Sequence, residues 1–236
     1  MLDVKALGDG GSFYIKNSGF STTVESGLTI TDSAAIGSTA VTDGYGGVFY
    51  CEACGTISIK GSTFEVLDAN LEGAFLYSQY ASLTVITDDV IIDCINAYST
   101  FAALTASGGA LYGTPAANNP GAFWVEGASG ANDDVVITQK GGIVENCFNA
   151  NKGGAYTMIN AKLITSVDTK ASNAATAKIK YTAAVKGGAI YCQNCILSLT
   201  DIEFYKTAAE FGGVIYAEDQ AAITLTRSDV KYSIAV

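Results

Sequence analysis

The chain has 236 residues, of which 49% are hydrophobic and 15% charged, and its net charge at pH 7 is -10. Nucleic acids and anionic membrane surfaces bind proteins through clustered cations, so 13 Lys and Arg against 23 Asp and Glu argue against both as partners. The sequence contains no run of about 18 apolar residues, and we therefore expect no membrane insertion by this chain.

A short motif recurs along the chain: a Gly, then Gly or Ala, two further residues and usually a Tyr. Repeats of this kind are typical of stacked architectures, because one unit cannot bury its apolar face without a neighbour on each side. The motif therefore predicts a single elongated domain over residues 1–236. Clear copies begin at Gly10, Gly46, Gly73, Gly108, Gly187 and Gly212, and weaker copies begin at Gly121 and Gly153.

Short alternating segments that predict β-strands follow the motif. They begin 10 or 11 residues after the first Gly, and no long helical pattern competes with them. Neighbouring copies that lie 27 residues apart, as at Gly46 and Gly73, fit one turn of a three-stranded coil. The sequence thus predicts an all-β fold, a parallel β-helix (solenoid) of about seven irregular rungs. The segments that carry this pattern are residues 57–59, 83–85, 197–199 and 223–225.

Longer intervals between copies predict two loop insertions. Residues 114–132 contain both prolines, Pro115 and Pro120, together with several Asn and Gly, which favour loops. Residues 166–186, rich in Ala, Thr and Lys, are the second candidate. The last residues, 230–236, stop inside the repeat pattern, and a solenoid that ends there exposes apolar core and unpaired backbone. We therefore expect either a longer chain or an end-to-end partner.

Alternation within the motif predicts which side chains face the core. The residue before the Tyr is always large and apolar, as at Phe49 and Ile190, so it should point inward and the Tyr outward. Exterior tyrosines can stack on sugars or anchor a protein partner. The alternative is that the rings only stack on one another or lie under the inserted loops. This candidate binding surface consists of Tyr14, Tyr50, Tyr77, Tyr112, Tyr191 and Tyr216.

Four of the six cysteines form two Cys-x-x-Cys pairs that directly follow a repeat tyrosine: Cys51 with Cys54 and Cys192 with Cys195. A shared four-thiolate zinc site is disfavoured, because the pairs should lie about five rungs, or roughly 24 Å, apart. A thioredoxin-like redox role would need a βαβ setting, which is missing. We expect a local disulfide in each pair, which indicates an oxidising compartment.

The remaining two cysteines, Cys94 and Cys147, precede matching residue pairs in the repeat. If they occupy the same column on adjacent rungs, the strand spacing of about 4.8 Å suits a disulfide. The alternative is two buried free thiols.

Acidic residues are the candidates for catalysis or calcium binding. Asp88-Asp89 and Asp133-Asp134 are carboxylate pairs of the kind that glycoside hydrolysis needs, but the chain has no His and its only Arg is Arg227. Together with Asp93 they supply oxygen ligands for calcium, although their spacing matches no EF-hand. We interpret these aspartates as turn residues and expect no enzyme activity, metal or cofactor.

The run Phe148-Asn149-Ala150-Asn151, followed by Gly153-Gly154-Ala155, resembles the repeat of polymorphic outer membrane proteins, in which a Phe-x-x-Asn element precedes Gly-Gly-Ala-Ile. Residues 187–190 match the second element fully. The resemblance implies a right-handed parallel β-helix of the pectin-lyase-like class, found in large surface or secreted proteins used for adhesion. The motif with a following Cys is also similar to repeats in very large surface proteins of protists.

These features favour a non-catalytic module that is extracellular or at the cell surface, with a structural or adhesive role and end-to-end assembly into a rod or filament. A protein partner or self-association fits this role, and a glycan is an open alternative. Because the fold hosts enzymes and adhesins alike, the alternative function is a carbohydrate-binding or polysaccharide-cleaving pectin-lyase-like domain that uses the tyrosines, Asp88 or Asp89.

Overall fold

The computed structural model describes residues 4–7, 9–16, 22–25, 27–35, 44–80, 83–87, 90–94, 121–130, 134–167 and 176–235. Within these ranges every regular element is a β-strand, and the strands form three parallel sheets. Each turn of the chain adds one strand to the first sheet, one to the second and one or two to the third. The predicted all-β parallel β-helix is therefore confirmed.

The first sheet follows the glycine motif, which forms a corner of the coil. Gly187, the first glycine of one copy, has a φ of +69°, a conformation that favours glycine. A Cβ on Gly188 would lie 2.6 Å from the carbonyl oxygen of Ala208, so this corner packs tightly against neighbouring backbone. The seven strands, one per rung as predicted, are β2 (Phe13–Lys16), β6 (Phe49–Glu52), β9 (Leu76–Gln79), β12 (Phe123–Glu126), β16 (Tyr156–Ile159), β19 (Ile190–Gln193) and β22 (Ile215–Glu218).

The second sheet has the alternation expected from the sequence except in β10. Thr84 pairs with Ile57 and Ile86 pairs with Ile59, so Thr84 and Ile86 occupy core positions, and both are buried. The sequence placed residue 83 in phase with Ile57, and this was wrong by one residue. A shift of one residue exchanges the two faces of a strand, and Thr84, like Ile57, lies 11 residues after the first glycine of its motif. The strands are β3 (Thr22–Val24), β7 (Thr56–Lys60), β10 (Leu83–Thr87), β13 (Val136–Lys140), β17 (Lys162–Ser166), β20 (Ile196–Thr200) and β23 (Ala222–Thr226).

The third sheet contains the longest strands, and these bend. In β18 and β21 the bend lies at Tyr181 and Lys206, whose φ angles of 52° each are left-handed. In some other rungs the corresponding part of the chain forms two separate, shorter strands. The strands are β1 (Val4–Ala6), β4 (Thr29–Thr31), β5 (Ser33–Ala35), β8 (Thr63–Ala69), β11 (Ile91–Cys94), β14 (Ile143–Glu145), β15 (Phe148–Lys152), β18 (Ala177–Lys186), β21 (Ile202–Phe211), β24 (Asp229–Lys231) and β25 (Ile234–Ala235).

Both segments predicted as loop insertions contain a strand. Strand β9 pairs directly with β12, so the copies that begin at Gly73 and Gly121 open consecutive rungs, and β12 lies within residues 114–132. Likewise β18 lies within residues 166–186, because Ala177 and Ile179 alternate with lysines in a strand pattern that the residue composition obscured. Residues 95–120 and 168–175, including the copy at Gly108, lie outside the described residues.

The core consists of ladders of side chains that repeat from rung to rung. Phe49, Leu76, Phe123, Tyr156 and Ile190 occupy equivalent positions in the first sheet, and all are fully buried. Stacked aromatic rings join some rungs, as between Phe123 and Tyr156, whose ring centroids are 4.4 Å apart. At the last rung the ladders end in exposed apolar side chains, among them Leu225 and Val230.

Candidate functional site

The predicted tyrosines line up in the first sheet as expected. Register pairs Tyr14 with Tyr50, Tyr50 with Tyr77, and Tyr191 with Tyr216. In the two rungs between, Trp124 and Thr157 hold the same position. Tyr112 lies outside the described residues.

The column is much less exposed than the sequence predicted. Tyr14 is 55% exposed, but Tyr50 and Tyr77 are 8% exposed and Tyr191 is fully buried. The rings stack on one another, with centroids 4.9 Å apart for Tyr14 and Tyr50 and 5.4 Å for Tyr50 and Tyr77. Tyr45 also packs on Tyr77 at 4.4 Å. Of the two interpretations from the sequence, the described tyrosines fit the one in which the rings stack on one another, because stacking at rung spacing covers the ring faces.

Charged side chains cover the rings toward the C-terminus. The Lys152 ammonium lies 4.5 Å from the ring centroid of Tyr191, and the Lys186 ammonium lies 4.9 Å from that of Tyr216, at cation–π distance. The Tyr191 hydroxyl donates to Glu218, which also receives Lys186 Nζ at 3.5 Å. Burial, followed by the hydrogen bond to Glu218, raises the pKa of Tyr191, and the same bond lowers the pKa of Glu218.

A similar arrangement closes the column near the N-terminus. The Tyr50 hydroxyl donates to Glu52 Oε2 at 2.9 Å, and Lys16 Nζ lies 2.7 Å from the same oxygen. Burial and Glu52 raise the pKa of Tyr50, whereas the hydrogen bonds from Lys16 and Tyr50 lower the pKa of Glu52. The tyrosines of the column thus mainly contact one another and neighbouring charged side chains, and so hold adjacent rungs together. Tyr14 is the most exposed of the described tyrosines in the column.

The cysteines form three disulfides: the two expected local pairs and, of the two possibilities left open for Cys94 and Cys147, the bond. Cα–Cα distances are 5.8 Å for Cys51 and Cys54 and 5.5 Å for Cys192 and Cys195, so both bonds close one corner of a rung. The third bond joins Cys94 and the cysteine at position 147, whose Cα atoms are 4.9 Å apart. It links adjacent rungs, because β11 pairs with β14. All six cysteines are used in these bonds, so none is a free thiol in this structure.

The acidic candidates are not brought together by the described structure. Asp134 is exposed, whereas Asp93 is half-buried and accepts a hydrogen bond from Asn146 Nδ2 at 2.9 Å. Burial raises the pKa of Asp93. Asp88, Asp89 and Asp133 lie outside the described residues, and among those that are described no group of three acidic, His or Cys side chains could hold a metal ion. Arg227 forms an exposed bidentate pair with Asp201.

A polar cleft that the sequence did not suggest opens at the corner between the first and second sheets. Its volume is about 480 Å³, and Asn160, Gln193, Asn194 and Asp219 are among its lining residues. Asn160, Asn194 and Asp219 lie at equivalent corners of successive rungs and form what we call the corner column. Their backbone is left-handed, with φ angles between 47° and 60°. The sequence does contain a signal for this column: Asn160, Asn194 and Asp219 each lie seven residues after the first glycine of a motif copy. Asn and Asp tolerate that conformation better than most residues.

Comparisons with known proteins do not assign the site. No protein-family model, curated protein or solved structure matches the chain. Within the described part of the chain there is also no helix with the length and apolar character needed to cross a membrane.

Proposed function

We propose that the chain is a non-catalytic β-helix module, extracellular or at the cell surface, with a structural or adhesive role and end-to-end assembly into a rod. The observation that carries this proposal is the set of apolar side chains exposed on the last described rung, which either a continuation of the chain or a second copy would cover. Leu225 and Val230 are 52% and 53% exposed, whereas Leu199 and Phe204, their equivalents one rung earlier, are fully buried. Exposed apolar patches beside open strand edges favour protein contacts.

The first rung is a suitable partner surface for the last rung, and we therefore assign the contact to a second copy of this chain. If the register of the first sheet continues across the contact, Tyr216 meets the exposed Tyr14, and Glu218 meets Lys16. These are ring-on-ring and opposite-charge pairs. In the second sheet the equivalent residue of the first rung, Val24, is already buried, so the proposed contact rests on the first sheet. A head-to-tail contact of this type generates open filaments when its rotation does not close a ring.

One local rearrangement accompanies this contact. Strand β25 pairs with β21 at the last rung, and β1 pairs with β5 at the first rung. In a stacked pair both strands would occupy the same place between β21 of one copy and β5 of the next. Because β25 has two residues and β1 has three, displacing either strand breaks few hydrogen bonds.

The proposed location is supported by the disulfides and by the resemblance of the repeats. Three disulfides in one chain are typical of oxidising compartments, and repeats like those of polymorphic outer membrane proteins suggest adhesion at a surface. Thiol labelling of the protein from its native source, without reductant, tests this. We expect no labelled cysteine, whereas full labelling would contradict an oxidising location.

Sedimentation velocity over a wide concentration range tests the assembly. We expect the parent chain to form elongated oligomers as concentration rises and Leu225→Asp to stay monomeric, because the substitution places a carboxylate in the apolar contact. Thr226→Asp is the matched control, since Thr226 is also exposed in β23. A parent chain that is monomeric throughout, or equal behaviour of both variants, would contradict the proposal.

The non-catalytic part has its own test. Incubation with a polyuronate should release no unsaturated or reducing ends above background. Cleavage that disappears in Asp89→Asn would contradict this prediction and support a lyase or hydrolase.

A further inference from the structure

The polar cleft runs parallel to the axis of the coil across successive rungs. Main-chain hydrogen bonds join its corners: Asn160 N donates to the Gln193 carbonyl at 3.0 Å, and Asn194 N donates to the Glu218 carbonyl at 3.3 Å. Consecutive corners are therefore one strand spacing apart, about 4.8 Å. With a volume of about 480 Å³, the cleft is within the size range of small-molecule sites.

The amide side chains of the cleft are held in fixed orientations. Asn194 Nδ2 donates to Asn160 Oδ1 at 2.7 Å, and Asn160 Nδ2 donates to the Gly127 carbonyl at 3.4 Å. Gln193 Nε2 donates to Asp219 Oδ2 at 2.9 Å. An amide nitrogen carries two hydrogens, so each of these groups keeps a second N–H for a ligand. Because these side chains are already ordered, the protein loses little additional side-chain entropy when a ligand binds.

The lining chemistry selects the ligand class. The described lining residues include one carboxylate, Asp219, and no Lys or Arg, so phosphate, sulfate and uronate groups are disfavoured in a chain of net charge -10. Ile159 is the only large apolar lining residue among them, which disfavours a mainly apolar ligand. Sugar hydroxyls donate and accept at the same time, which matches paired amide donors and acceptors.

An aromatic ring extends the same corner column. Tyr80 N donates to the Glu126 carbonyl at 2.8 Å, and Gly127 N donates to the Ile159 carbonyl at 2.9 Å, so Tyr80 lies two rungs before Asn160. Tyr80 is 51% exposed. A tyrosine ring stacks well on the apolar face of a pyranose, and Gly127 between the two corners has no side chain to block the path.

We infer that this corner binds a neutral oligosaccharide. Asn160, Asn194 and Gln193 hydrogen-bond to its hydroxyls, and Tyr80 stacks on one of its sugar rings. The inference names a ligand for the proposed adhesive role, but it uses residues away from the end-to-end contact. Binding is therefore measured on Leu225→Asp, so that loss of assembly and loss of sugar binding are distinguished.

The experiment is a titration of isotope-labelled protein followed by NMR of its side-chain amides. The probes are the neutral tetrasaccharides of glucose, xylose, mannose and N-acetylglucosamine, with tetragalacturonate as the anionic comparison. We expect at least one neutral probe to shift the amide signals of Asn160, Asn194 and Gln193, and tetragalacturonate to shift none.

Variants identify the groups responsible. Gln193→Ala and Tyr80→Ala should each weaken binding about tenfold, as expected for loss of one hydrogen bond or one stacking contact. Asn194→Gly keeps the left-handed corner, removes the amide and should have a similar effect. Thr200→Ala is the control, because Thr200 is partly exposed in β20, on the second sheet, and does not line the cleft. Melting temperatures check that each variant is folded.

Two results would overturn the inference. One is that no neutral probe shifts the cleft amides at the highest soluble concentration. The other is that Thr200→Ala and Gln193→Ala weaken binding equally. Either result leaves the amides with the structural role of linking neighbouring corners.

Discussion

Residues at the corners decide how closely the rungs of this coil can stack. Gly187 has a left-handed conformation, and Gly188 beside it leaves no space for a side chain against Ala208 and the next rung. The second position is Ala at residues 74 and 122, and both are fully buried. The need for glycine is therefore set locally by how close β21 lies to this corner.

Gly188→Ala tests this spacing. The added Cβ would meet backbone atoms of Ala208 at 2.6 and 2.7 Å, and backbone cannot move aside as a flexible side chain can. We expect the free energy of unfolding to fall by about 3 kcal/mol, measured by urea denaturation. Gly130→Ala is the control, since nothing lies within 4 Å of its Cβ position, and its φ of +85° alone should cost about 1 kcal/mol. Equal losses would show that steric overlap at residue 188 is relieved by small shifts.

Glu72 predicts a pH dependence of stability. Burial raises the pKa of Glu72 to about 7, although Asn149 Nδ2, 3.0 Å from its Oε2, and Lys152 act in the opposite direction. The folded state then binds a proton more tightly than the unfolded state, so this group reduces stability as pH rises from about 4.5 to 7. We expect Glu72→Gln to be more stable than the parent by about 3 kcal/mol at pH 8 and equal to it at pH 4.

Thermal or urea unfolding at a series of pH values measures this difference. The control is Glu65→Gln, because Glu65 is exposed. A Glu72→Gln curve parallel to that of the parent would contradict the prediction. Burial raises the pKa of Asp93 and Glu145 in the same direction, so part of the pH dependence should persist in Glu72→Gln.

At the scale of elements, two kinds of disulfide restrain the coil. The pairs at residues 51 and 54 and at 192 and 195 are three residues apart and restrain one corner each. The bond between Cys94 and Cys147 spans 53 residues and restrains two neighbouring rungs of the third sheet. Since residues 95–120 separate these rungs in sequence, this bond closes by far the longest loop.

Replacing both cysteines of one disulfide by alanine should lower the free energy of unfolding by different amounts for the two kinds of bond. From loop length alone we expect a loss of about 4 kcal/mol for the pair 94 and 147 and about 2 kcal/mol for the pair 192 and 195. Urea denaturation of the two double variants measures the difference, and the second double variant is the control for removing buried sulfur. A larger loss for the local pair would contradict the loop-length argument.

Strand prediction succeeded where alternation and glycine spacing agreed. Ile57 and Ile59, or Leu197 and Leu199, face the core as the pattern indicated. It failed at Thr84 because a polar residue occupies a core position there, and at residues 177–186 because composition outweighed the period-2 pattern. In both places contacts between rungs, which no local pattern contains, determine the register.

At the scale of the whole molecule, net charge should oppose assembly. Each copy carries a charge of -10, so two copies repel one another, while the Glu218 and Lys16 contact is local. The screening length falls from about 10 Å at 0.1 M salt to about 3 Å at 1 M. We therefore expect the association constant from sedimentation to rise with salt, and Leu225→Asp to remain monomeric throughout. Association that weakens with salt would mean that the charged pair dominates the contact.

The candidate sites show the same division between local and long-range information. Glycine spacing predicted the tyrosine column and the cysteine pairs, because each depends on position within one repeat. Burial of Tyr191 depends on Lys152 from the rung before it and on Glu218 from the rung after, and so was not predictable from one repeat. The cleft likewise depends on corners from several rungs, although the spacing of Asn160 and Asn194 was visible in the sequence.

The sequence by itself determined the architecture, since doubled glycines and period-2 alternation are local requirements of a tightly wound coil of strands. It also indicated the two local disulfides, because cysteines three residues apart share a corner, and it left a bond between Cys94 and Cys147 as one of two possibilities. Only the tertiary structure decided which of these residues are accessible. Exposure depends on how the rungs stack. The motif tyrosine is exposed at residue 14, which lies on the first rung of its sheet, and buried at residue 191, where rungs stack on both sides.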